Sequence, residues 1–336
     1  MNNDIYTNCY GTVKKNNYFL NFFIGGRGTG KTYSALKGCY FDDKKIMYLR
    51  RTAEELKTTC SGVTNPFKAI NTDFGVDVRV VKNKTITQLI DYTDTQNPKE
   101  IGVACALSTF GNLRGADFSD IDVIIFDEFI NTNPINRLKD EGFLLWNLIE
   151  TVNRNRALRG ENEIKVILLS NSGSLENGIL TDLDLPEEIR KMKTENMTVY
   201  NDDDRGIYLE LLDNKAVRDA KAETALYKAT RGTSFYAMAL DNEFTNDCFS
   251  DVKRIDFKEF RPLCSFNDVY FYRHKFQNFI YCSKRKADCD HFDEESIKQF
   301  MRGWGFVINQ VYVNQGLIYQ DYNIKLKVKK ILRQSF

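Results

Sequence analysis

The chain has 336 residues, 42% of them apolar and 28% charged, with a formal net charge of +1. This length exceeds one small core and predicts two domains, and the composition excludes a disordered or fibrous chain. The near-neutral balance does not mark the whole surface as polyanion-binding, and no apolar run reaches the ~18 residues a membrane span requires.

The first two-thirds alternates short apolar strands with helical patterns. "YFLNFFIG" (18–25) predicts a buried strand and "KTYSALKGCYF" a helix. "KKIMYLRR" (44–51) is a strand and "TAEELKTTC" a helix. "KTITQLIDYTDTQNPKEIGVACALS" predicts two strands around an Asn-Pro turn, and "IDVIIFDEF" (121–129) and "IKVILLSNS" (164–172) are further strands. The stretch "EGFLLWNLIETVNRNRALR" between these last two predicts one helix. Strands this apolar are buried on both faces, so the expected fold is α/β, a parallel sheet flanked by helices. Beyond Ser172, "LDLPEEIRKMKT" is a helix and "VYNDDDRGIYLELL" holds strands around an acidic turn. "NKAVRDAKAETALYKAT" (214–230) predicts a polar connector helix. From about Asp247 the chain becomes aromatic, strand-rich and basic, with "DVYFYRHKFQNFIYCSKRK", "WGFVINQVYVNQGLIYQDY" and "IKLKVKKIL". From Val252 to Phe336 there are 16 Lys and Arg against 9 Asp and Glu, a surplus compatible with nucleic acid or with a plain solvated surface. The expected division is 1–212, a connector over 213–246, and a smaller α+β domain over 247–336.

Eight cysteines are scattered without a Cys-x-x-Cys pair, which reads as free thiols in a reducing compartment. Cys264, Cys282 and Cys289 lie near both histidines, His274 and His291, at spacings that match no standard zinc pattern. The start "MNNDIYTNCY" lacks the layout of a targeting leader.

The chemistry gathers around one string. Gly25, Gly26, Arg27, Gly28, Thr29, Gly30, Lys31 and Thr32 fit the phosphate-cradling pattern G-x-x-x-x-G-K-T, preceded by a strand and followed by a helix. Glycines let backbone N–H groups turn toward phosphates, the lysine reaches the β and γ groups, and the threonine hydroxyl meets Mg²⁺. In "IDVIIFDE", Asp127 is the expected contact to the metal and Glu128 is placed to orient an attacking water. A glutamate there fits hydrolysis that does work better than a small-molecule kinase, which must exclude water. Ser170 and Asn171 end the next strand, where a polar group can sense the γ-phosphate or simply close a turn. Arg154 and Arg156 fall near the end of one predicted helix and face opposite ways. One can then reach a neighbour's nucleotide, though a cationic helix end that satisfies the dipole looks the same. Arg114 lies on a glycine-flanked loop before Asp127, and Arg50 and Arg51 close a strand.

The segments "NFFIGGRGTGKTY", "YLRR" followed by "EEL", "LSTFGNLRGADFSDIDVIIFDEFI", "NLIETVNRNR", "LLSNS" and "MALDNEF" together resemble the DNA-packaging ATPases of phi-29-type bacteriophages, over residues 21 to about 244. "LRG" ahead of "IIFDE" is also similar to phage large terminases. The resemblance implies an additional-strand catalytic-glutamate P-loop fold and ATP with Mg²⁺ as cofactors. It implies a homomeric ring, a pentamer, docked on the portal of a procapsid in the host cytoplasm and translocating double-stranded viral DNA, in some relatives through a packaging RNA. By position, Lys31 and Thr32 would be the P-loop pair, Asp127 the metal aspartate, Glu128 the catalytic glutamate, Arg154 a trans-acting finger and Arg114 a second trans-acting base. The C-terminal domain would be RNase H-like with a vestigial nuclease, and there this sequence departs most. Two other readings stand beside the translocase. One is a terminase-like enzyme with a live nuclease built from Asp256, Asp268, Asp288, Asp290 and Asp293. The other is an assembly protein that ATP only gates, which leaves Glu128 without a purpose.

Overall fold

A computed structural model describes residues 6–61, 63–82, 86–113, 115–130, 138–240, 244 and 247–333. The chain divides into two compact units, Met1–Ile179 with Glu195–Asn246, and Leu180–Thr194 with Asp247–Phe336.

In chain order the first unit contains α1 (Cys9–Asn16), β1 (Leu20–Gly25), α2 (Lys31–Phe41), β2 (Ile46–Arg50), α3 (Ala53–Thr59), α4 (Lys68–Phe74), β3 (Val78–Lys82), β4 (Thr87–Asp91), β5 (Lys99–Ala106), β6 (Val123–Asp127), α5 (Glu141–Asn153) and β7 (Lys165–Ser170). Two helices, α6 (Gly178–Asp182) and α7 (Leu185–Thr194), follow. The chain then returns to the first unit with β8 (Val199–Asp202), β9 (Ile207–Leu212), α8 (Lys215–Ala222), α9 (Ala225–Ala229) and α10 (Ser234–Leu240). Nine strands form one sheet in the order β3-β4-β5-β2-β6-β7-β1-β9-β8. The six from β5 to β9 are mutually parallel, and antiparallel strands finish both edges. Apolar residues on both faces explain this. All six residues of β1 and all five of β2 and β6 are buried, as expected where helices cover a parallel sheet on each side. Strand β7 lies between β1 and β6, so the glycine string after β1 and the acidic pair after β6 flank the polar end of β7. That inserted strand is the mark of the additional-strand P-loop fold the sequence pointed to.

The stretch 214–230, expected as one connector helix, folds as two short ones, α8 and α9, with α10 following. Thr224, the residue that caps α9 from outside, has extended backbone (φ −78°, ψ 157°), which breaks the helical run.

The second unit adds β10 (Phe260–Phe266), β11 (Val269–His274), β12 (Ile280–Ser283), β13 (Asp290–Phe292), α11 (Ile297–Phe300), α12 (Phe306–Val313), β14 (Leu317–Tyr319) and α13 (Tyr322–Arg333). Its mixed sheet runs β13-β10-β11-β12-β14, an antiparallel meander with one parallel strand on each side. Helix α7 belongs here. The Glu187 carboxylate accepts the Tyr322 N–H at 2.9 Å, and the Asn323 side chain accepts the Glu187 N–H at 3.2 Å. Two stretches expected to be strand-rich are helical, "GFVINQVYV" around α12 and "IKLKVKKIL" in α13. The alternation of apolar and lysine residues in α13 imitates a strand, but Ile324, Val328, Ile331 and Leu332 share one core with Phe266, Phe271 and Phe300. Their spacing is that of one helix face.

Candidate functional site

The loop after β1 turns through residues with left-handed backbone. Gly28 has φ +69° and Gly30 φ +87°, a region that side-chain-bearing residues enter at a cost. Inside the turn the Lys31 ammonium donates to the carbonyls of Gly25 (2.9 Å) and Gly26 (2.8 Å), to Thr29 Oγ1 (3.4 Å) and to Asn171 Oδ1 (3.3 Å). Burial lowers this lysine from 10.5 to about 8, because desolvation disfavours its charged form. The Thr29 hydroxyl donates to the Gly26 carbonyl at 3.2 Å, and the Arg27 N–H donates to the Ala239 carbonyl at 3.2 Å.

The acidic end of β6 meets the same place. Thr32 Oγ1 donates to Asp127 Oδ1 at 2.9 Å, joining the first turn of α2 to the end of β6. The second Asp127 oxygen accepts from the Tyr48 hydroxyl at 2.9 Å and from Arg50 Nη1 at 3.3 Å. Burial, and next the Asp127 charge, push the Tyr48 phenol well above its ordinary value, so it stays a neutral donor. Glu128 adopts φ +56°, and its side chain is 55% exposed. A non-glycine residue held in this region costs on the order of 1–3 kcal/mol and is concentrated at functional sites. Its carboxylate accepts from Arg50 Nη2 at 2.9 Å, so one guanidinium bridges Asp127 and Glu128. Asn171 joins the site through Lys31, whereas Ser170 is buried, its hydroxyl accepting the Ile130 N–H at 3.2 Å.

Sequence reading gave Arg50 little weight and missed Tyr48. The available signal was their position near the C-terminal end of β2, which pairs in register with β6 (Tyr48 with Ile125, Leu49 with Phe126). Arg51 turns the other way. It is fully buried and paired with Glu141 at 2.6 Å, a structural contact.

The expectation for Arg154 and Arg156 needs correcting. Helix α5 ends at Asn153, and Arg154 (φ +38°) and Asn155 (φ +58°) are both left-handed, so the two arginines do not sit on opposite faces of a helix. Arg154 donates to the carbonyls of Ala116 (2.8 Å) and Thr151 (3.2 Å) and to Asp117 Oδ1 (3.3 Å), with 39% of its side chain exposed. Arg156 is buried and donates to the Ile121 carbonyl at 2.7 Å and to the Ser119 carbonyl. Both guanidiniums therefore hold the loop that leads into β6. Arg114 lies outside the described residues.

In the second unit four of the five aspartates singled out are occupied locally. Asp268 pairs with Lys327 at 2.5 Å, Asp293 accepts the Ser296 N–H at 2.9 Å, Asp256 accepts the Lys258 N–H at 3.2 Å, and Asp290 accepts from Trp304 at 3.4 Å. Cys264 and Cys282 are buried apolar thiols raised by desolvation. His291 Nδ1 meets Ser265 at 2.5 Å, and His274 Nδ1 accepts the N–H groups of Phe276 and Gln277. Among the described residues no three His, Cys, Asp or Glu side chains are grouped to hold a metal. Among them, too, no helix is long and apolar enough to cross a membrane.

Residues 1–270 match the family described as Podovirus DNA encapsidation protein (Gp16). The chain belongs to that family. This Gp16-family chain is 32% identical over 238 residues to the DNA packaging protein of Bacillus phage B103, covering 69% of this chain and 66% of that protein. It is 30% identical over 234 residues to the DNA packaging protein of Bacillus phage phi29, covering 68% of this chain and 63% of that one. The matched stretch thus spans less than two-thirds of these relatives. In fold it is similar to a chain of the bacteriophage Phi-29 viral genome packaging motor assembly, with a TM-score of 0.65 at 21% identity over 99% of this chain and 100% of that chain. It is likewise similar to the Phi-28 gp11 DNA packaging motor, with a TM-score of 0.63 at 15% identity over 98% of both chains.

Proposed function

We propose that this Gp16-family chain hydrolyses ATP to drive double-stranded viral DNA into a preformed procapsid. The observation that carries this reading is the convergence of Lys31, Thr32, Asp127, Glu128 and Asn171 at the ends of three adjacent strands. Lys31 binds the β and γ phosphates by leaving the Gly25 and Gly26 carbonyls. The backbone of Gly25 to Gly30 curves around those phosphates, and Asn171 marks the γ position. Glu128 takes the proton from the attacking water. The Thr32 hydroxyl and the Asp127 carboxylate, 2.9 Å apart, are hard oxygen donors of the kind Mg²⁺ takes, so these two residues would hold it. When bound, the ion neutralises charge on the phosphate oxygens.

The reading extends to a homomeric ring, a pentamer, docked at the portal vertex in the host cytoplasm, as the resemblance to the packaging ATPases implies. Arg154 and Arg114 are proposed to act on the neighbouring subunit's nucleotide. The motor domain is assigned to 1–212, less the stretch 180–194 that belongs to the second unit, and the connector to 213–246, which belongs to the first. The basic 247–336 segment is assigned to nucleic acid or the capsid vertex, through a packaging RNA where one is used. The local engagement of Asp256, Asp268, Asp290 and Asp293 supports an RNase H-like unit that binds without cutting. ATP turnover measured with and without linear double-stranded DNA tests the proposal. Stimulation by DNA that stays intact in Mg²⁺ or Mn²⁺ is expected. Turnover indifferent to DNA favours a nucleotide-gated assembly protein, and cleavage favours a terminase-like nuclease.

A further inference from the structure

The peptide of Arg27, in the middle of the glycine-rich loop, is held on both sides by the helices that follow the sheet. Its N–H donates to the Ala239 carbonyl of α10 at 3.2 Å, and its carbonyl accepts from the Lys221 ammonium of α8. The same ammonium lies 2.5 Å from where a Cβ on Gly28 would be, so any side chain at Gly28 would displace it. A narrow cleft lined by Gly26, Arg27, Thr29, Val217, Lys221 and Ala239 separates loop from helices. Among the described residues Lys221 has no carboxylate partner within salt-bridge distance. Burial, and next the charge of Arg27, disfavour its ammonium, and Lys221 in turn adds to what disfavours the charge of Lys31, against the pull of Asp127 and Glu128. Three cations crowd one loop, and a polyphosphate would relieve their repulsion.

We propose that Lys221 is a phosphate ligand supplied by α8. The terminal phosphate of a nucleoside triphosphate draws its ammonium off the Arg27 carbonyl, and this releases the grip of α8 on the loop. Lys221 thereby reports nucleotide state to the helices 215–240. The inference rests on the nucleotide reading of the loop and adds a phosphate-binding residue outside the two sequence motifs. A carbonyl is a weaker partner for an ammonium than a phosphate oxygen, because the phosphate adds a full opposite charge to the hydrogen bond and the carbonyl only a dipole. The exchange is therefore downhill once a triphosphate arrives. The diphosphate, lacking the outermost group, gains much less.

The test is titration of the full chain with fluorescent ATP and ADP analogues, comparing wild type, Lys221→Ala and Lys221→Arg. Hydrogen-exchange protection of residues 215–240 is followed in parallel. Lys221→Ala is expected to weaken ATP binding about tenfold or more while ADP binding changes little. Lys221→Arg restores most of the preference for ATP. ATP changes the protection of 215–240 in wild type and Lys221→Arg but not in Lys221→Ala. Equal loss for ATP and ADP, or an unchanged ratio, overturns the inference while the nucleotide site stands. Failure of wild type to bind either nucleotide overturns both.

Discussion

Lys31 and Glu128 put opposite demands on the site. Lys31 is a buried cation held by carbonyl oxygens, lowered to about 8 from 10.5. Between those values the unfolded chain binds more protons than the folded one, so stability rises with pH across that window, and below about 8 the buried charge is a constant burden. Wild type should therefore gain thermal stability relative to Lys31→Met as pH is raised from 8 to 10. A flat difference would mean that Lys31 titrates normally. Nucleotide affinity should move the other way, falling above about pH 8 as the ammonium is lost. Glu128 is strained, exposed and held by Arg50. Glu128→Gln should bind ATP while hydrolysing it about a hundredfold or more slowly, the effect of losing a general base. Near-normal turnover would remove Glu128 from that role.

Local pattern made the elements around the cradle readable. Helix α2 spans the stretch read from sequence, because a glycine loop starts it and its apolar positions repeat at helical spacing. Strands β1, β2, β6 and β7 were visible because burial on both faces leaves almost no polar residue inside them. The misreadings arose where distant contacts decide. Nothing near Arg154 announces that α5 ends at Asn153; carbonyls of residues 116–121 take both guanidiniums and favour the left-handed turn. The grip of Lys221 on Arg27 joins residues 194 positions apart. In α13 the alternation of apolar and lysine residues pointed to a strand, and packing against the second unit's core chose the helix. Ile324→Ala and Ile331→Ala should each cost about 2–5 kcal/mol in denaturant unfolding, as expected for buried isoleucine truncations. Lys327→Ala, at the border of that face and paired with the exposed Asp268, should cost under about 1 kcal/mol. Ile324 and Ile331 would lie on opposite faces of a strand, so a large loss at only one of them would contradict the helical face.

At the scale of the whole molecule, the sheet order β1-β7-β6 brings the glycine loop, Asn171 and the acidic pair to one end of the sheet, and the proposed motor would set copies of that end in a ring. If Arg154 acts on the neighbour's ATP, Arg154→Ala and Glu128→Gln subunits are each inactive alone and recover partial turnover when mixed, because an intact cradle then meets an intact arginine. A trans arginine contributes on the order of a thousandfold or more, so the recovery should be well above background. Mixed assembly without recovery would confine Arg154 to its own subunit, as the Asp117 contact already does in one copy. The central claim, that hydrolysis at the Lys31–Glu128 site moves the protein along DNA, is tested most directly by displacement of a triplex-forming strand from linear duplex. Wild type with ATP and Mg²⁺ should strip the strand whatever the duplex sequence, and Glu128→Gln should not. Normal ATP turnover with the third strand left in place, or stripping by Glu128→Gln, would contradict the account.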